Sequence, residues 1–132
     1  MKFRLALLGL TLFAAGCGAD GPQLTDVEGA LTLDGKPVPN AELVFIPQDV
    51  PVRSPSYGLT DDNGHFVLKF TMQKFGAMPA KHHVQVDIPK GSDEDRQAGK
   101  AFKLPKKYVK DGSLTADVKE GKNFIELKLT TD

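Results

Sequence analysis

The sequence predicts an all-β fold, a seven-stranded β-sandwich preceded by a helical apolar leader. Three observations carry that expectation. Short runs of alternating apolar residues recur between positions 27 and 130, each bounded by turn residues. The stretch Gly58–Phe70, GLTDDNGHFVLKF, sets Asn63-Gly64 between two such runs, which is the strongest short-range hairpin signal a sequence offers. No stretch after the leader has the period of a long helix. At 132 residues the chain suits one domain.

The leader comes first. Residues 1–16 begin with the cations Lys2 and Arg4, continue through the apolar run Leu5–Phe13, and end in Ala14-Ala15-Gly16. This is the build of a secretory signal peptide, and the apolar run is too short to span a bilayer, which takes about 20 residues. Cys17 follows at once and is the one cysteine of the chain, so no intramolecular disulfide can form. Ala14-Ala15-Gly16-Cys17 resembles a bacterial lipobox, although the place usually held by Leu is Ala14. The resemblance implies that Cys17 is lipidated with palmitate-like chains after the leader is removed. Several acyl chains on one residue make a stable membrane anchor. Gly18 in place of Asp favours the outer membrane over the inner, with the protein facing the periplasm or the surface. Residues 17–26 then read as the lipidated cysteine and a small, polar tether.

The body is residues 27–132. Val27–Leu33 alternates, with Val27, Gly29, Leu31 and Leu33 on one face, and predicts the first strand. Asp34-Gly35-Lys36-Pro37 is a turn. Ala41–Pro47 is the second strand; Val44 and Ile46 are apolar too, so both of its faces are partly covered. A two-proline loop, Asp49–Pro55, leads to the third strand, Ser56–Thr60. The Asn63-Gly64 turn leads to the fourth, His65–Phe70, with Phe66, Leu68 and Phe70 on one face. After a connection over Thr71–Ala80, Lys81–Ile88 is the fifth strand, with His82, Val84, Val86 and Ile88 inward. Pro89–Lys107 is a long irregular excursion with room for a helical turn at Asp93–Ala101. Leu114–Val118 and Phe124–Thr130 are the last two strands, with Ile125, Leu127 and Leu129 inward.

Charge excludes one class of partner. Lysine plus arginine number 17 and aspartate plus glutamate 17; loss of Lys2 and Arg4 with the leader leaves the mature chain at about −2. That is no footprint for nucleic acid.

Three stretches carry a family resemblance: VEGALTLDGKPVPNAELVFIP, GLTDDNGHFVLKF and GAMPAKHHVQVDIP. Their recurring pieces are V-x-G-x-L-x-x-x-G-x-P, T-D-x-x-G-x-F and G-x-x-P-A-x-H-x-V. They resemble the carboxypeptidase-regulatory-like domain, of transthyretin-like (prealbumin-like) fold. The tail LPKKYVKDGSLTADVKEGKNFIELKL is similar to the ending of small bacterial lipoproteins with this domain. The resemblance implies a Greek-key sandwich and names no activity, since one fold hosts many roles.

The candidate chemistry is sparse. Asp61, Asp62 and Asn63 offer oxygen ligands for a cation such as calcium, but they lack EF-hand spacing and equally suit plain turn chemistry. His82 and His83 are strand neighbours that point to opposite faces, so they cannot chelate one ion together. Either would need a distant partner such as Asp87 or Glu42. No nucleophile elbow occurs. The hydroxyisourate hydrolases share the resembled fold, but their terminal Tyr-Arg-Gly-Ser is absent, and the mature chain has only Arg53 and Arg96 to meet His82. Lys100, Lys103, Lys106 and Lys107 form a candidate patch for anionic lipid or polysaccharide, preceded by the acidic Asp93-Glu94-Asp95. The expectation is a non-catalytic envelope protein without cofactor, anchored at Cys17, that binds another envelope protein or a glycan. A metal- or carbohydrate-binding periplasmic module is the alternative, and a hydrolase of the hydroxyisourate type is a third.

Overall fold

The computed structural model describes residues 21–88, 104–108 and 114–131. The leader, Cys17, Arg96, the acidic cluster, Lys100 and Lys103 lie outside the described residues. Among the described residues there are eight strands: β1 Asp26–Leu33, β2 Lys36–Pro37, β3 Glu42–Pro47, β4 Ser56–Leu59, β5 His65–Val67, β6 Ala80–Asp87, β7 Thr115–Val118 and β8 Lys122–Leu129. The one helical element among them is a 3-10 turn at Lys106–Tyr108.

The strands form two sheets. In the first, β1 is central. β8 runs parallel to its whole length, from Asp26 beside Lys122 to Leu33 beside Leu129. β5 and β2 pair antiparallel with β1, Gly29 opposite Phe66 and Leu33 opposite Lys36. The second sheet is antiparallel in the order β4-β3-β6-β7. The alternating residues meet between the sheets. Val27, Leu31, Leu33, Leu127 and Leu129 are buried on one side, and Leu43, Phe45, Val84, Val86 and Val118 on the other. Phe45 and Phe66 join the two halves with ring centroids 5.9 Å apart. Gly29 makes room for this contact: a Cβ there would collide with the Ile125 carbonyl oxygen and come within 2.6 Å of Phe66.

The turn chemistry differs from expectation at two places. The true two-residue hairpin is at Asp34-Gly35, both at positive φ (49° and 81°), which closes β1 onto β2. At Asn63-Gly64, by contrast, β4 and β5 enter different sheets. The chain turns a corner there instead of forming one continuous ladder. The expected fourth strand accordingly shortens to β5, and Phe70 is only half-buried.

Thr60 holds this corner. Its buried hydroxyl donates to the Val38 carbonyl (2.7 Å) and accepts from the Ala41 N–H (2.8 Å). Gly64, at φ 75°, passes under β1 and accepts from the Leu31 N–H at 2.8 Å. At the other end of β1 the fold begins earlier than the tether suggests. Thr25 exchanges backbone hydrogen bonds with Ala77 (2.9 and 3.0 Å). Asn123 accepts from the Lys119 N–H (2.9 Å) and donates to the Lys119 and Asp26 carbonyls (2.7 and 3.1 Å), which ties the β7–β8 turn to the start of β1.

Phe66→Ala should lower unfolding free energy by about 3–5 kcal/mol in denaturant titration, while truncating the exposed neighbour Val67 should change it by less than about 0.5 kcal/mol. Two buried hydroxyls should also behave oppositely. Thr60→Val strands two backbone groups and should cost about 1–3 kcal/mol. Ser56 Oγ is buried with no hydrogen-bond partner among the described residues, so Ser56→Ala should be neutral or stabilising. Equal losses in the two variants would contradict the assigned bonding.

Candidate functional site

The corner that separates β4 from β5 also makes a groove. The two segments are joined at its ends only. Tyr57 and Lys69 exchange backbone hydrogen bonds of 2.8 Å at one end, and Asp61 N–H donates to the His65 carbonyl at 2.8 Å at the other. Between these rungs, β4 follows β3 and β5 follows β1. The small residues Ser56 and Gly58 turn inward in β4, and a Cβ on Gly58 would touch Leu68 at 3.0 Å. The large residues therefore face out. Tyr57, Leu59 and Val67 are exposed, with Met72 beyond them. Together with Val44 and Phe70 they line an open groove of about 910 Å³, with Glu42, Asp61, His65 and Lys69 among its polar residues.

The expected oxygen cluster sits at the end of this groove, and its geometry is that of a turn. Asp61 Oδ1 accepts from the backbone N–H groups of Asn63 and His65, both at 2.9 Å. Its other oxygen lies 4.0 Å from His65 Nδ1, and Glu28 lies 3.8 Å from His65 Nε2. Asp62 and Asn63 are exposed. Among the described residues no three histidine, cysteine or acidic side chains converge as metal ligands.

His82 and His83 point to opposite faces of β6, as strand geometry requires. His82 is fully buried, its ring tilted against that of Phe45 with centroids 5.9 Å apart, and its Nε2 lies 2.8 Å from the Met78 carbonyl. That contact sets the ring as a donor at Nε2, while Nδ1 has no partner among the described residues. His83 is half-buried on the outer face. Arg53 is exposed in the β3–β4 loop. Glu42 and Asp87 stand opposite one another on β3 and β6, both exposed, and neither residue reaches His82.

Of the lysine patch, Lys106 and Lys107 fall within the 3-10 turn. Lys107 is exposed, with its ammonium 5.0 Å from the ring of Tyr108. Tyr108 locks this turn to the end of β8. Its hydroxyl donates to the Thr130 carbonyl (3.2 Å) and accepts from the Thr130 N–H (3.1 Å). The hydrogen bond from the Thr130 backbone, reinforced by Lys107, holds the phenol below its ordinary range.

The groove residues Tyr57, Leu59, Val67 and Met72 were not among the candidates the sequence suggested. A signal was present: Ser56-Tyr57-Gly58-Leu59-Thr60 alternates small with large, and a strand whose small residues face in must display its large ones. Compared with protein-family models, with characterised proteins and with solved structures, the chain matches none.

Because Tyr108 ionises more easily folded than unfolded, its titration adds stability above the unfolded value near 10, and that contribution is lost as pH falls through the folded value. The stability difference between wild type and Tyr108→Phe should therefore widen as pH rises toward about 10. Denaturant titrations of the two proteins across the alkaline range check this; a difference independent of pH would contradict it.

Proposed function

We propose that this chain is a non-catalytic, lipid-anchored envelope protein. In this reading it carries one Greek-key sandwich of prealbumin-like, carboxypeptidase-regulatory-like kind, of seven strands beside the two-residue β2, and binds a protein partner through the groove between β4 and β5. The observation that carries the binding role is the groove itself. It displays Tyr57, Leu59 and Val67, with Met72 beyond them, and its polar residues include Glu42, Asp61, His65 and Lys69. An apolar aromatic centre with a polar rim is the anatomy of a protein interface, where tyrosine commonly supplies the anchor and methionine an adaptable surface. An extended segment of another envelope protein fits this lining better than a metal ion does, because, of its two carboxylates, Asp61 is bonded through Oδ1 to its own turn and no three metal-ligating side chains converge among the described residues.

The resembled motifs support the fold assignment by having separate physical jobs. Thr60 and Gly64 hold the corner, Phe66 fills the core, and Gly29 admits Phe66. Gly76, at φ 103°, lies where a Cβ would strike the Thr25 backbone. The non-catalytic reading draws on His82, whose ring is sealed in the core and bonded to Met78. The anchor rests on the leader and Cys17.

Two measurements test the proposal. Wild type should incorporate radiolabelled palmitate and stay with membranes, and Cys17→Ser should do neither; a wild-type protein that is unlabelled and soluble would remove the anchor. A photoreactive group at Leu59 should crosslink one envelope protein in intact cells, and Tyr57→Ala should abolish the adduct. Crosslinking unaffected by that change, or no adduct at all, would argue against the groove.

A further inference from the structure

The chain enters the sandwich at one pole, beside a set of apolar side chains that the core leaves exposed. Thr25 pairs with Ala77, and Asp26 starts β1 beside Lys122. Val52, Met72, Phe75 and Phe124 are 64, 91, 56 and 58% exposed, four of the seven large hydrophobic residues that stand exposed among the described residues. Val52, Phe75 and Phe124 flank the entering chain, and Met72 lies three residues before Phe75 in the loop that follows β5. Val52 shares one depression with Pro22, Gln23 and Met78. Phe75 and Phe124 share another with Asp26 and Val67.

Single exposed apolar residues need no explanation. Three features set this group apart. The first is the loop that carries Met72, which is built and not frayed. Phe70 N–H donates to the Lys74 carbonyl (2.8 Å), and Thr71 Oγ1 accepts from the N–H of Gln73 (3.3 Å) and of Lys74 (3.0 Å). This turn holds Met72 outward. The second is charge. Arg53 follows Val52, Lys69 lies 5.0 Å over the Phe75 ring, Lys74 Nζ stands beside Gly21, and Lys122 is two residues from Phe124. Asp26, Glu28, Asp49 and Glu120 are the acids nearby, so the pole is mixed in charge, with Lys69 and Lys74 the cations beside the loop that carries Met72 and Phe75.

The third feature is reach. Gly21 is four residues from Cys17. Even fully extended, that span covers at most about 14 Å. A lipid on Cys17 would hold this pole against the bilayer surface at an effective concentration in the millimolar range, as short flexible linkers do. Exposed apolar side chains with lysines and an arginine among them suit that boundary. The rings and the thioether enter the acyl margin, and the cations meet phosphate.

We infer that the pole formed by Val52, Met72, Phe75 and Phe124 docks on the anionic phospholipid surface that holds the anchor. It thereby fixes the orientation of the sandwich. The inference rests on the proposed lipidation of Cys17. Docking places the Tyr57 end of the groove nearer the lipid and the Leu59 end farther away, because β4 runs away from this pole.

The test uses the full chain, purified with its lipid and reconstituted in vesicles of phosphatidylethanolamine and phosphatidylglycerol. An environment-sensitive nitrobenzoxadiazole label is placed at Met72→Cys, and in a second protein at Lys36→Cys in the exposed hairpin at the opposite pole. The Met72 label should shift its emission to the blue and lose intensity to lipids that carry a spin label on the acyl chain, while the Lys36 label should do neither. A vesicle-bound protein whose Met72 label stays water-exposed overturns the docking and leaves the anchor intact. Wild-type protein that takes the label on Cys17 and leaves the vesicles overturns the anchor, and the docking with it.

Discussion

The corner between Thr60 and Phe66 is the constraint on which the rest of the sandwich depends. There the chain leaves the sheet built on β3 and joins the one built on β1. Seven residues perform the transfer, and each link is a short-range bond with a long-range consequence. The Thr60 hydroxyl satisfies Val38 and Ala41, which fixes how β2 hands over to β3. The Gly64 carbonyl takes the Leu31 N–H, which fixes where β1 lies relative to the corner. Phe66 then points inward under Gly29 and meets Phe45. Two sheets that face one another need such a tie, because nothing in either ladder sets their separation. The same tie produces the groove: a chain that must serve two sheets pairs β4 with β5 only at the Tyr57–Lys69 and Asp61–His65 rungs and leaves them apart between.

Much of this was legible locally. The inward sets Val27-Leu31-Leu33, His82-Val84-Val86 and Leu127-Leu129 follow from a period of two, and burial agrees at each of those residues. The loss of His82 to the core was legible in the same way, as one member of an apolar row. Two things were not. The parallel pairing of β1 with β8 joins residues nearly a chain length apart, and a parallel neighbour leaves no turn between its strands to read. The splitting at Asn63-Gly64 was hidden for a different reason. A turn signal reports that the chain reverses and says nothing of which neighbours the two arms will prefer. Here β1 and β3 outbid the arms' own pairing along most of their length, leaving the rung at Tyr57 and Lys69.

The candidate site was less legible than the fold for a related reason. Sequence reading looks for residue types that carry chemistry, and it found aspartates, histidines and lysines. The structure gives several of these ordinary employment: Asp61 caps its own turn, and His82 packs on Phe45. Large apolar side chains are left at the surface as well. Among the described residues Val52, Tyr57, Leu59, Val67, Met72, Phe75 and Phe124 are those for which the core has no place. An exposed tyrosine or methionine carries no sequence signature until the strand that bears it is known to face outward.

The distribution of these residues bears on both proposed roles. Val67 borders both the groove and the depression that holds Phe75 and Phe124, so the apolar surface is continuous across β5. A surface of this kind favours aggregation unless something covers it. An anchor a few residues from β1 would supply a cover for one end by proximity alone, since a lipid surface at short leash needs little intrinsic affinity to be occupied. That leaves the Leu59 end, bordered by Glu42 and Asp61, as the part still open to a partner. Charge is mixed at the pole, where Arg53, Lys69, Lys74 and Lys122 stand with Asp26, Glu28, Asp49 and Glu120, while the far end of the groove carries the carboxylates Glu42 and Asp61. Because β4 runs from the pole toward that far end, an occupant of one surface would leave the other open.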